Sequence, residues 1–176
     1  FSQWSMERKR QPSYPSFSRS IQIFGDLSLL EGLPPGKPSR EMRRAAMVVR
    51  GLYGEQLRRG LAIFDRAQWL LLPFRRFVAE PDRVLDEIAA FLEIGAWNQY
   101  PVQRENPTPR DQVGPPPTAD DMRRLTEVYA ADLALFGDLS GLDVSGWPTT
   151  RITNGTLEPA KLAADPARKV GLPPED

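Results

Sequence analysis

Only one stretch of this chain has the make-up of a buried strand. Gln68 to Phe74 is short and continuously apolar through Trp69-Leu70-Leu71-Leu72, and Pro73 marks its end or an edge. One strand cannot form a sheet alone. The segments around it read as helices, so the expected order is helix, helix, long helix, strand, helix, loop, helix. That is α/β content with too few strands to close a layer. The partner strands must come from elsewhere, and the 176 residues are therefore expected to be part of a domain. Phe1 stands where an initiator Met belongs, which points to a processed, engineered or truncated start, and the missing strands favour truncation.

Composition narrows the chemistry. Hydrophobic residues at 40% and charged residues at 26% are ordinary for a globular protein and argue against a disordered polyelectrolyte. Lys+Arg (23) and Asp+Glu (23) cancel, so no global basic field exists to hold nucleic acid or an anionic membrane, although a local patch can still bind an anion. Cys and His are both absent. This removes thiolate nucleophiles, thiolate or imidazole zinc sites, disulfides and His-based triads, and it fits a reducing compartment. The longest apolar run, Trp69 to Phe74, is far too short to span a bilayer. No basic region followed by an apolar segment opens the sequence, so no signal peptide is expected and the expected location is cytoplasmic.

From the N-terminal end, Phe1 to Arg10 reads as the end of a helix with Phe1, Trp4 and Ser5 on one side, broken by Gln11-Pro12-Ser13-Tyr14-Pro15. Ser16 is a good N-cap for a short helix that turns Phe17, Ile21 and Phe24 inward. Gly32 to Pro38 is a loop. From Ser39 a helical period runs through Met42, Ala45, Ala46, Val49, Leu52, Tyr53, Leu57, Leu61 and Phe64. Gly51, Gly54 and Gly60 each cost about 1 kcal/mol in a helix interior, so packing must hold this helix or it bends near Gly51.

Pro81 suits the first turn of the next helix, whose stripe is Val84, Leu85, Ile88, Phe91 and Leu92, and Gly95 is its expected stop. Trp97 to Pro117 is Pro-rich and aperiodic, too long for a simple connector. Thr118 with Asp121 opens a helix carrying Met122, Leu125, Val128, Tyr129, Leu133 and Phe136 inward. Gly141 to Pro148 closes the packed region, and the stretch after Trp147 reads as mostly disordered.

Several chemical motifs fail on inspection. Gly32-Leu33-Pro34-Pro35-Gly36-Lys37-Pro38-Ser39 lacks one spacer of a P-loop, and Pro38 removes an amide that should face phosphate. Asn154-Gly155-Thr156 matches a glycosylation acceptor by composition, with no meaning outside a secretory route. Arg40, Arg43, Arg44 and Arg50 form a basic cluster, read first as a solvated helix face and second as an anion site. Glu7 and Glu55 read as surface carboxylates without an acid/base partner.

The order of motifs says more. Arg50-Gly51-Leu52-Tyr53-Gly54-Glu55-Gln56-Leu57, continuing to Phe64, resembles the "G-x-Y-x-x-Q-L … W-L … F" helix of bacterial sulfotransferases related to the heparan sulfate sulfotransferases. Trp69 to Leu72 follows as the strand. Glu80-Pro81-Asp82 through Val84-Leu85 and Ile88 to Phe91-Leu92-Glu93-Ile94 is similar to that family's "D-P … V-L … I … F-L-G-L". Leu125, Tyr129, Asp132, Leu135, Gly141 and Trp147 are similar to its closing "L … Y … L … G … W". Phe1 to Arg10 resembles the stretch just after its "R-x-P-x-x-R-A".

The resemblance spans residues 1–148. It implies the C-terminal part of a P-loop NTPase-like sulfotransferase fold, mostly helical with one or two parallel-sheet strands in this segment, followed by a disordered tail over 149–176. It also implies a transferase that moves a sulfuryl group from 3′-phosphoadenosine 5′-phosphosulfate (PAPS) to a hydroxyl or amine acceptor, with no metal. The acceptor class stays open among a small molecule, a lipid, a carrier-bound group and a polysaccharide.

The phosphosulfate loop, the 3′-phosphate Arg and the catalytic base are expected upstream, so these residues include no catalytic group. Ser2 is at the position of the Ser that contacts the 3′-phosphate, against the alternative of an ordinary helix Ser. Arg110 is the one residue of Asn106-Pro107-Thr108-Pro109-Arg110 suited to the nucleotide-closing loop, though the family's Lys-Gly-Arg stretch and Tyr have no counterpart. Trp4 and Met6 border the acceptor or pack a core. Arg75-Arg76 replaces the acidic residue that commonly ends the family's strand. The competing expectation is a non-catalytic helical interaction module with the same fold.

Overall fold

A computed structural model describes residues 2–25, 47–95 and 115–164. The protein divides into two compact units: Phe1–Gly60 with Thr108–Arg168, and Leu61–Pro107 with Lys169–Asp176.

The first unit is built from helices. α1 (Ser2–Arg10) and α2 (Phe17–Phe24) are joined by the proline-containing turn expected from sequence. Ser16 caps α2, its hydroxyl accepting from the Arg19 N–H at 3.2 Å. Residues 47–49 are helical, the backbone turns at Arg50–Gly51, and α3 (Tyr53–Leu61) follows. The long helix therefore bends near Gly51 and stops at Leu61, short of Phe64.

Two helices of the second unit, α4 (Phe74–Ala79) and α5 (Pro81–Phe91), come before α6 (Ala119–Ser140) returns to the first. α6 begins with the expected capping box. The Asp121 N–H donates to Thr118 Oγ1 at 3.1 Å, and the Thr118 N–H donates to Asp121 Oδ2 at 2.8 Å. Gly141, at φ +70, ends it in the left-handed region that glycine occupies without strain. α7 (Pro148–Thr153) and α8 (Pro159–Ala164) then fold back onto α6. Residues 149–164, expected to be loose, are therefore ordered by packing: Ala163 is buried, with Ile152 and Leu162 against the same core.

That core joins Trp4, Tyr14, Phe17, Ile21, Val48, Met122 and Ala163. Trp4 is wholly buried, donates its indole N–H to the Pro15 carbonyl at 3.0 Å and meets the Phe17 ring edge-on at 5.6 Å. Of its two sequence readings, core packing is the one observed. Asp121 adds a tie between helices by accepting from the Ser18 hydroxyl at 2.7 Å.

The second unit carries a 3-10 turn (Arg66–Gln68) ahead of α4 and α5. Arg76 reaches Glu87 at 2.5 Å and ties the two helices. α5 starts at Pro81 as expected, but its stop differs. The N–H of Ile94 bonds the Ala89 carbonyl at 3.0 Å and that of Glu93 bonds Ala90 at 3.2 Å, a two-bond closure that needs a left-handed residue. Glu93, at φ +54, supplies it, two residues before Gly95.

The expectation of an α/β fold with parallel strands is overturned. Among the described residues there is no strand and no sheet. Trp69 (φ −116, ψ 118) and Pro73 (φ −64, ψ 127) are extended, yet extended dihedrals become a strand only when a neighbouring segment accepts and donates the ladder bonds. None of the described residues does so, and helices bound the segment on both sides. An apolar run of this length suits either environment, which is why periodicity alone misreads it.

Candidate functional site

The most organised polar constellation lies where α3 begins. A helix start leaves amides without intrahelical partners. Here Asp132, from α6, takes two of them: the Gly54 N–H donates to Oδ2 at 2.9 Å and the Glu55 N–H to Oδ1 at 2.8 Å. The carboxylate thus caps α3 from a position 78 residues further along the sequence.

Close approach makes this possible. A Cβ on Gly54 would sit 2.2 Å from the Asp132 carbonyl oxygen, and one on Gly51 would sit 2.8 Å from the Tyr129 ring. Both glycines are there because helix α6 leaves no room for a side chain. The turn between 49 and 53 leaves carbonyls to satisfy as well. The Gln56 amide donates to Leu52 O at 2.9 Å, with longer bonds to Arg50 and Val49. Tyr129 donates its hydroxyl to Val48 O at 2.9 Å. Burial pushes that phenol up to about 12, with the charges of Tyr53 and Asp132 adding to the effect.

An aromatic group closes the corner. Tyr53 meets Phe136 at 5.9 Å and Trp147 at 6.2 Å, and Phe136 meets Trp147 at 5.6 Å. Leu57, on the same helix as Tyr53, is buried. Glu55 faces outward and is paired: Arg58 holds it at 2.7 Å and Arg59 at 2.7 Å. Their hydrogen bonds, Arg58 first, lower its carboxyl from the usual 4.5 to about 2. It is an anion throughout the physiological range, which is the wrong state for a general acid. Glu7, the other carboxylate considered, lies 3.9 Å from Arg10.

The residues expected at a nucleotide site are placed as follows. Ser2 opens α1, two residues before the buried anchor Trp4. Met6 lies in the same helix. Arg110 lies outside the described residues, as do Gly32 to Pro38, residues 97–114 and the basic cluster's Arg40, Arg43 and Arg44; Arg50 is described and exposed. Asp132 and Gln56 were not singled out from sequence as contacts. Their signal was the pair of glycines in an otherwise regular helix, which only a close neighbour explains.

Among the described residues no group of His, Cys, Asp and Glu could hold a metal ion, and no helix is long and apolar enough to cross a membrane. No family model, curated protein or solved structure matches the sequence.

Proposed function

We propose that these residues form the C-terminal portion of a sulfotransferase that moves a sulfuryl group from PAPS to a hydroxyl or amine acceptor. The observation that carries this reading is the corner at α3. Gly51 and Tyr53 of the first sequence motif lie against Tyr129 and Trp147 of the closing one, with Asp132 capping the helix. Residues that resemblance alone groups together are thus grouped by packing. Glu93 gives independent support, because its positive φ falls where the family segment "F-L-G-L" carries glycine. The parallel sheet expected with this activity is not part of the proposal.

In this reading Ser2, in α1, contacts the 3′-phosphate. Trp4, two residues on, fixes this part of α1 to the core. Arg110 is the second phosphate contact, its guanidinium able to form two bonds at once. Sulfuryl transfer needs charge stabilised on peripheral and leaving oxygens, and the groups that do so belong to sequence upstream of Ser2.

The test is calorimetry of 3′-phosphoadenosine 5′-phosphate against the reading frame that includes that upstream sequence. Ser2→Ala should weaken binding roughly tenfold or more, since a hydrogen bond to a charged group contributes about 1.5–3 kcal/mol. Unchanged affinity removes Ser2 from the site, and no binding by the parent protein removes the reading itself.

A second reading, a helical interaction module, is favoured by one feature. Large apolar side chains concentrate on the surface of the second unit, with Ile63 76%, Phe74 63% and Leu92 54% exposed. Nucleotide binding by the parent separates the two.

A further inference from the structure

The Asn154-Gly155-Thr156 triplet has a structural role at the end of α7. Asn154 is the residue after the helix, and its Oδ1 accepts from the Thr156 N–H at 3.1 Å and from the Thr156 hydroxyl at 2.7 Å. Gly155, at φ +75, donates its N–H to Ile152 O at 3.1 Å. The N–H groups of Thr156 and Leu157 close the helix on Arg151 O at 2.8 and 2.9 Å. All three residues of the triplet are exposed.

We propose that Asn154 is a self-modification site, a deamidating Asn-Gly pair whose rate the Thr156 hydroxyl restrains. Water and hydroxide are the only other reactants. The Gly155 backbone nitrogen loses its proton and attacks Asn154 Cγ, with no Cβ on Gly155 to hinder the approach. The new N–Cγ bond forms, the bond from Cγ to Nδ2 breaks and ammonia leaves with the proton. Water then opens the five-membered imide at either carbonyl, giving aspartate or isoaspartate.

Two contacts oppose the first step. Ile152 O holds the proton that must leave, and Thr156 fixes the amide by its oxygen, against the rotation that brings Cγ to the Gly155 nitrogen. The products differ in consequence. Aspartate at position 154 keeps the acceptor oxygen but adds a negative charge where the helix dipole disfavours one. Isoaspartate there lengthens the main chain by a methylene between Ile152 and Thr156, so the two bonds to Arg151 O lose register.

The experiment incubates the whole protein at mildly alkaline pH and quantifies aspartate and isoaspartate at position 154 by peptide mapping. The folded protein should react more slowly than the same protein in urea. Thr156→Val should speed the folded reaction roughly two- to tenfold, the factor set by one neutral hydrogen bond. Thr156→Ser, which keeps the hydroxyl, should stay within about twofold of the parent. Should the valine variant not fold, the urea comparison and the serine variant still decide. Equal rates folded and in urea, a folded valine variant no faster than the parent, a serine variant well beyond that range, or no product at 154 in urea would each overturn the proposal.

Discussion

A phenol held between two helices, its hydroxyl bonded to the Val48 carbonyl, stays neutral long after an exposed tyrosine has ionised. Tyr129 is raised from 10.0 to about 12 chiefly by burial. Between those values the folded protein keeps a proton that the unfolded one releases, so stability falls as pH rises from 10 toward 12. The loss should approach about 2–3 kcal/mol. Tyr129→Phe should flatten urea-unfolding midpoints over that window, at a cost near neutral pH of about 0.5–1.5 kcal/mol for the lost hydrogen bond. Glu55 works at the other end and with the opposite sense. Its carboxyl is lowered to about 2, so its contribution is full above the ordinary carboxylate value and disappears as pH drops from 4.5 to 2. Because the pairs with Arg58 and Arg59 lie at the surface, screening limits their worth to about 0.5–1 kcal/mol. Glu55→Gln should therefore lower the unfolding midpoint slightly at pH 7 and by much less at pH 2, measured by circular dichroism.

At the scale of elements, the end of α5 carries removable strain. A non-glycine residue in the left-handed region costs about 1–2 kcal/mol, and glycine's extra freedom when unfolded returns part of that. Glu93→Gly should raise stability by about 0.5–1 kcal/mol, read as a higher urea midpoint with an unchanged slope. Gly54→Ala should do the reverse. Its methyl would meet backbone on α6, at 2.2 Å from Asp132 O and 2.9 Å from Phe136 N, and overpacking of that kind costs about 1–3 kcal/mol or more. Helix starts were legible because one or two local side chains decide them: Ser16, Pro81 and Thr118 all cap or open helices as read. Helix ends were less so. Gly95 looked like the stop of α5, whereas the hydrogen bonds place the turn at Glu93, a residue whose type advertises nothing. The apolar run at 69–72 was misread for a related cause, since whether it forms a strand depends on groups elsewhere. The composition after Trp147, rich in Pro, Ala, Thr and charge, reads as a loose tail, but proline is also at home in the first turn of a helix, and that is where α7 and α8 put Pro148 and Pro159.

On the scale of the whole molecule the two units differ in what they bury. The described part of the first encloses seven large or small apolar residues in one cluster, whereas in the described part of the second only Val84 and Ala89 are fully inside. Local opening follows buried contact. Amides of α4 and α5 should therefore exchange with solvent faster than those of α6 under native conditions, and equal protection in the two units would count against that ranking. The expected nucleotide contacts were legible only as positions in a motif, because Ser2 and Arg110 acquire meaning from a ligand. Asp132 stands within the closing motif, but its role depends on a helix far away in sequence. That distance has a consequence for how the protein is made. Its carboxylate reaches the Glu55 amide across 77 residues, and translation adds about 5–20 residues per second. Once the start of α3 has been synthesised, it waits roughly 4–15 seconds at that rate before its cap exists. During that interval the nascent polypeptide holds an open helix start with bare amides, so α3 settles late, after α6 has left the ribosome.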